Sequence, residues 1–157
     1  MKKYLIVFLI SMVPLIELRG AIPYAVGMGL PIVPSIIVSV IGNMLPVPFI
    51  FLFARRILEW GKDKKYIGKF FTWCLEKGEK GGRKLEEKAG RGLYVALLLF
   101  VGIPLPGTGA WTGTLAASLL GMDFKKSVVY VMLGVLLAGA IMLAASLGVF
   151  GAISLVK

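Results

Sequence analysis

Glu17 and Arg19 stand two residues apart in a stretch that is otherwise almost wholly apolar. They are the only charged residues inside the apolar pieces of the chain if Asp123, Lys125 and Lys126 belong to a surface. A charge at the centre of a bilayer costs at least about 2.5 to 3.5 kcal/mol, so such a group faces a cavity, finds a partner or does work. Two residues apart, the pair points to nearly opposite faces of a helix and to the same face of an extended segment. At the tip of a broken hairpin both can therefore line one cavity. Glu17 would there carry a proton, and Arg19 offers planar, bidentate donors suited to phosphate. The plainer alternative is a structural ion pair, or side chains that snorkel to the interface.

A second constellation runs Pro104-Leu-Pro106-Gly107-Thr108-Gly109-Ala-Trp111-Thr112-Gly113-Thr114. Prolines remove backbone donors and glycines allow tight reversal, which leaves free backbone groups in an apolar medium. Hydroxyls, water or substrate must meet them, and Thr108, Thr112 and Thr114 supply hydroxyls without charge. For Gly113, Ala116, Ala117 and Ser118 the better reading is helix packing through small residues. No Gly-Lys-Ser/Thr follows, so a phosphate-binding loop is rejected. A third feature, Gly42-Asn43-Met-Leu-Pro46-Val-Pro48, sits in the middle of a long apolar run. Pro46 and Pro48 each delete a backbone hydrogen bond and predict a kink or unwinding. Asn43 is then either a ligand at depth or the group that satisfies the kink.

Composition says where these groups must work. Of 157 residues 58% are hydrophobic and 17% charged, with a mean hydropathy of +0.88, against about a quarter charged in ordinary soluble domains. Bilayer is therefore the expected solvent. Histidine is absent and Cys74 is the only cysteine, which removes disulfide frameworks and Cys/His zinc sites. Neither a metal, a cofactor nor catalysis is expected, since paired carboxylates for acid and base steps are also missing. The formal charge is +10, and twelve of the 18 basic residues fall between Arg55 and Arg91. Between apolar runs this reads as a cytoplasmic loop rather than a nucleic-acid surface. Met1-Lys2-Lys3 followed by Tyr4 to Ile16 imitates a signal peptide, but Glu17-Leu18-Arg19 stands where a small-residue cleavage site belongs, so the segment is expected to be retained.

The elements that must position these residues follow from apolar stretches and their breakers. Tyr4 to Ile16 and Leu18 to Leu30 are each too short to span, Pro31 to Ala54 is a full span, and 55–91 is basic. Gly92 to Met122 is interrupted at Pro104 to Gly109, and Ser127 to Val156 is a second span. Short apolar pieces broken by Pro and Gly predict re-entrant hairpins. Val13-Pro14-Leu15 with Gly20-Ala21 matches Ile103-Pro104-Leu105 with Gly109-Ala110, and Ser35-Ile-Ile37 with Gly42 matches Ser127-Val-Val129 with Gly134. If 55–91 is cytoplasmic, the two halves enter from opposite sides and are inverted copies, an arrangement used by transporters. Lys2 and Lys3 would then lie outside, against the positive-inside tendency. Within 55–91, Tyr66, Ile67, Phe70, Phe71 and Cys74 recur at helical spacing with Trp60 and Trp73 at an interface, an anchor on the inner leaflet. Gly81-Gly82 ends that helix, and Arg83 to Lys88 reads as a short solvated one.

Two motifs carry a family resemblance: Pro14-Leu-Ile-Glu17-Leu-Arg19-Gly20-Ala-Ile-Pro23 and Ile103-Pro104-Leu-Pro106-Gly107-Thr108-Gly109-Ala-Trp111-Thr-Gly113. The chain resembles the small multidrug export protein family, related to the wider DedA/VTT membrane superfamily. The resemblance implies two re-entrant hairpins entering from opposite sides. From better studied relatives it implies lipid scrambling or proton-coupled movement of polyprenyl-phosphate carriers. Glu17 matches the functionally important acidic position of DedA proteins. Where those proteins carry an arginine in the second motif this chain has Thr108 and Gly109, and Arg19 would supply the cation.

The expected fold is an all-α integral membrane protein of the cell membrane, multi-pass, in a single membrane domain. A first repeat (1–54), a cytoplasmic amphipathic linker (55–91) and a second repeat (92–157) compose it. The expected function is a transporter or scramblase moving an anionic amphipathic substrate, with Glu17, Arg19, Asn43, Thr108 and Thr112 meeting substrate or proton. Pro14, Gly20, Pro23, Pro104, Pro106, Gly107, Gly109, Trp111 and Gly113 are expected to form the hairpins. Membrane lipids and a second copy of the chain are the expected partners. The alternatives are a non-transporting membrane organiser and a small-molecule exporter.

Overall fold

The computed structural model describes residues 1–73, 76, 80, 83, 87 and 90–156. Cys74, Gly81-Gly82 and most of the stretch from Arg83 to Lys88 lie outside the described residues. Among the described residues seven helices carry the fold, besides the helical stretch at 68–73: α1 (Lys2–Met12), α2 (Glu17–Gly27), α3 (Ile32–Met44), α4 (Pro46–Gly61), α5 (Gly92–Gly102), α6 (Ala110–Leu119) and α7 (Phe124–Val156). No strand occurs among the described residues.

The helices α3 and α4 form one rod. Leu45 between them keeps helical dihedrals (φ −57°, ψ −44°) and its N–H reaches the Ile41 carbonyl at 3.0 Å. Pro46 therefore restarts the helix at its first position, where a missing N–H does least harm, instead of unwinding it as the two prolines suggested. Among the described residues, the rod, Ile32–Gly61, and α7 are the two helices long and apolar enough to cross a membrane. The first overruns its expected end at Ala54, and Arg55 uses the extra turns to pair with Glu59 at 3.1 Å. The chain then turns, and residues 68–73 are helical again. Phe71 packs its ring where any Cβ on Gly61 would have to stand.

The rod is patterned inside out. Val33, Ile37, Ile41, Leu45, Phe49, Phe53 and Ile57 recur every fourth residue and all are exposed, while Ser35, Ser39 and Asn43 at the same spacing are buried. In water this pattern would waste its apolar face. In lipid it is the expected arrangement, because the bilayer solvates the apolar stripe and polar groups turn inward. The same reversal appears on α1, where Leu5 and Leu9 face out and Ser11 is buried.

The matched halves pack alike. A Cβ on Gly42 would meet the Ser11 hydroxyl and the Phe8 carbonyl oxygen, and one on Gly134 would meet the Leu98 carbonyl oxygen and Val101. Each long helix thus lies backbone-close against the first half-helix of its own half, as small residues permit in membranes. The breaks are narrower than expected. Gly20 and Pro23 lie inside α2, and Trp111 and Gly113 inside α6, so these four do not form the turns. Gly20 and Gly113 serve close packing instead, against Ile16 and Val101.

Gly42→Ala should lower the stability of the detergent-purified chain by about 1 to 3 kcal/mol, because backbone and hydroxyl both stand in the way. Gly148→Ala, with nothing within 4 Å of the new methyl, should be neutral or stabilising by up to about 1 kcal/mol. Thermal unfolding of the two variants beside the native chain checks this pair.

Candidate functional site

The first break is the segment between Met12 and Glu17. Val13 leaves the helix in an extended conformation (φ −71°, ψ 129°), and Leu15 (φ 68°) and Glu17 (φ 54°) both adopt the left-handed region. For residues other than glycine this costs of order 1 to 3 kcal/mol each and persists only where the surroundings enforce it. The second break begins the same way, with Ile103 extended (φ −82°, ψ 119°), but takes its positive angles at Gly107 and Gly109, where they are cheap.

What enforces the first break is the second. Glu17 is 3% exposed, and its carboxylate accepts the N–H groups of Ala110 at 3.1 Å and Trp111 at 3.0 Å. These are first-turn amides of α6, which have no partner within their own helix. The carboxylate answers both the missing hydrogen bonds and the positive end of the helix dipole. Gly109 makes room for it, since a Cβ there would overlap the carboxylate itself. Arg19 does the converse at the end of α5. It donates to the carbonyl oxygens of Leu105 (2.6 Å), Val101 (3.3 Å) and Ile103 (3.3 Å) and to the Thr108 hydroxyl (2.8 Å). A guanidinium at a helix C-terminus meets carbonyls that the helix leaves unpaired.

Thr108 closes this loop. Its hydroxyl oxygen lies 2.8 Å from the Leu105 carbonyl oxygen and 3.0 Å from that of Ile103, and its single proton serves one of them at a time. Glu17 and Arg19 do not pair with each other, so the structural ion pair considered from sequence is replaced by two cross-chain caps. Hydrogen bonds to charged groups contribute about 1.5 to 3 kcal/mol each. The two Glu17 bonds alone are therefore of the same order as the strain of the left-handed residues.

The remaining expected ligands divide. Asn43 is 1% exposed and its Oδ1 meets no donor. Thr112 offers its hydroxyl only to the Gly109 carbonyl oxygen, at 3.5 Å within its own turn. Thr114 on the buried face is 1% exposed with an unpartnered hydroxyl, as are the buried hydroxyls of Ser39 and Ser127. The signal for Thr114 was its spacing: Ala110, Thr114, Ala117 and Ser118 fall on one helical face. Ser118 spends its hydroxyl on the Phe51 carbonyl oxygen at 2.7 Å, tying α6 to α4. Beside the junction, Trp111, Pro14, Met12, Pro46 and Phe49 line an apolar groove of about 490 Å³.

A sequence model of the family described as putative small multi-drug export protein matches residues 17–141. The chain belongs to that family. The match to the export family begins at Glu17 and takes in every residue of the interlock. No curated protein and no solved structure matches the chain.

Glu17→Ala and Gly109→Ala should each destabilise by about 2 to 3 kcal/mol, the first by orphaning two amides and the second by expelling the carboxylate. Because the second injury presupposes the carboxylate, the double variant should lose at least about 1 kcal/mol less than the sum. Additive losses in thermal unfolding would separate the two residues.

Proposed function

We propose that this chain is a multi-pass transporter that moves an anionic, amphipathic substrate across the membrane by opening the junction between its two broken hairpins. Helix lengths support the placement. Three of the half-helices, α1, α2 and α5, have 11 residues and α6 has 10, which is about 15 to 17 Å each at the α-helical rise. That is half of a hydrocarbon core of about 30 Å. Two re-entrant hairpins of this length, one from each side, meet near the midplane. The rod Ile32–Gly61 and α7 cross fully, so the halves are inverted and 55–91 falls on the cytoplasmic side with its basic residues.

The observation that carries the reading is the position of the Glu17 carboxylate. It occupies the N-terminus of α6 as a substrate anion would, on two backbone amides and with Arg19 on the adjoining turn. Protonation of Glu17, or competition by an incoming carboxylate or phosphate, releases those amides. Two charged hydrogen bonds of about 1.5 to 3 kcal/mol each approach the roughly 5.5 kcal/mol that moves a two-state equilibrium from one side to the other. A proton or an anion therefore weakens one of the two caps that hold the hairpins together. Arg19 then contacts the substrate anion, Asn43 and Thr114 supply neutral partners, and the groove beside Trp111 takes the apolar part. Such a substrate suits both the multi-drug export named in the family's description and a phospholipid. A second copy of the chain would shield the half-inserted hairpins from lipid.

A second reading has an observation of its own. Both Glu17 oxygens and the Arg19 guanidinium find partners within the chain, which a non-transporting membrane organiser with purely structural hairpins would also require.

Proteoliposomes separate the two. Movement of a fluorescent anionic lipid or an anionic dye by the native chain should respond to a proton gradient. Glu17→Gln, which imitates the neutral carboxyl, should lose that response, and Arg19→Ala should cut the rate at least about tenfold, a loss of roughly 1.4 kcal/mol of barrier lowering. Absence of movement by the native chain for every probe supports the organiser, and unchanged gradient response in both variants overturns the latch.

A further inference from the structure

A cavity of about 390 Å³ lies away from the junction, between the starts of α5 and α7, lined by Gly90, Arg91, Tyr94, Lys126 and Tyr130. Two cations line it, Arg91 and Lys126, and among the described residues no carboxylate does. Arg91 and Lys126 are exposed and form no ion pair among the described residues. Asp123, one turn before Lys126, is already engaged: its Oδ1 accepts the Lys126 amide at 2.9 Å, and its own N–H donates to the Tyr94 hydroxyl at 3.3 Å. The rings of Tyr94 and Tyr130 lie 5.4 Å apart and form an aromatic wall, with the Lys126 ammonium 5.8 Å from the Tyr94 ring.

Depth decides what such a cavity meets. Gly90, Arg91 and Tyr94 precede or open the 11-residue α5, and Arg19 binds the carbonyls at the other end of that helix, about 15 Å away along the axis. With the junction at mid-core, the cavity stands at headgroup level in the leaflet beside segment 55–91. Paired cations with tyrosine hydroxyls at that level match the phosphate of an anionic lipid, and tyrosine favours the same depth.

We infer that the cavity between α5 and α7 is a binding site for the phosphate of an anionic lipid headgroup, held by Arg91 and Lys126 against Tyr94 and Tyr130. The inference rests on the membrane placement above and not on transport. The site is separate from the Glu17 and Arg19 junction, and it fixes the hinge end of the second hairpin to its leaflet.

The test uses the full chain in a neutral detergent and follows thermal unfolding during titration with dioctanoyl phosphatidic acid, dioctanoyl phosphatidylcholine or inorganic phosphate. Phosphatidic acid should stabilise and phosphatidylcholine should not. Arg91→Gln with Lys126→Gln should weaken the apparent affinity at least about tenfold, whereas Lys62→Gln with Lys65→Gln, outside the cavity, should leave it within about twofold. Tyr130→Phe, which keeps both charges and the ring, should weaken it severalfold and serves if the paired variant fails to fold. Equal weakening by the two pairs would mean diffuse surface attraction and overturn the site. Equal stabilisation by inorganic phosphate would make it a soluble-anion site and overturn the lipid. A chain that responds to phosphatidic acid in this way yet moves no probe in proteoliposomes would refute translocation and leave this inference standing.

Discussion

Inside a bilayer no water is at hand for a broken helix, so each interruption must have its exposed amides and carbonyls met by protein. This chain has two such breaks and meets the demand across the interval between them. A carboxylate from the first break serves the amides that open α6, and a guanidinium two residues later serves the carbonyls that close α5. Gly109 must lack a side chain, Thr108 must carry a hydroxyl, and Leu15 and Glu17 must accept unfavourable backbone angles for this to fit. The rest of the fold delivers these two turns to one place.

That division of labour makes the halves alike in packing and unlike in chemistry. Gly42 and Gly134 bring each long helix against its own half-helix in the same way. The first half supplies both charges, and the second supplies bare backbone and glycine. An interface built from charged caps on helix ends is strong while neutralised and weak once either charge changes. A transporter needs such a bistable contact, whereas a purely structural hairpin could have used neutral caps at less desolvation cost.

Much of this was legible in the residues. The inward charges, the proline and glycine breaks and the short apolar pieces follow from what lipid forbids, and Gly42 and Gly134, matched in the sequence, both sit at close helix contacts. The partners of Glu17 and Arg19 were not legible, because they lie 82 to 94 residues away and local spacing holds no information on them. The left-handed turn at Leu15 and Glu17 lacked a glycine to announce it, since tertiary contacts rather than propensity enforce it. Thr112 and Thr114 are chemically alike, and the helical spacing of Ala110, Thr114, Ala117 and Ser118 was the sign that Thr114 turns inward.

The most direct test is a solid-state NMR distance measurement in lipid bilayers between carbon-labelled glutamate carboxyls and the nitrogen-labelled backbone of tryptophan. A Trp60→Phe background removes the sequential neighbour of Glu59. Dephasing that puts one glutamate carboxyl within hydrogen-bonding reach of the Trp111 amide, and that vanishes in Glu17→Gln/Gly109→Ala, is the predicted result. A spectrum without such contact would mean that the two breaks do not cap one another in the membrane, and would contradict the account at its root.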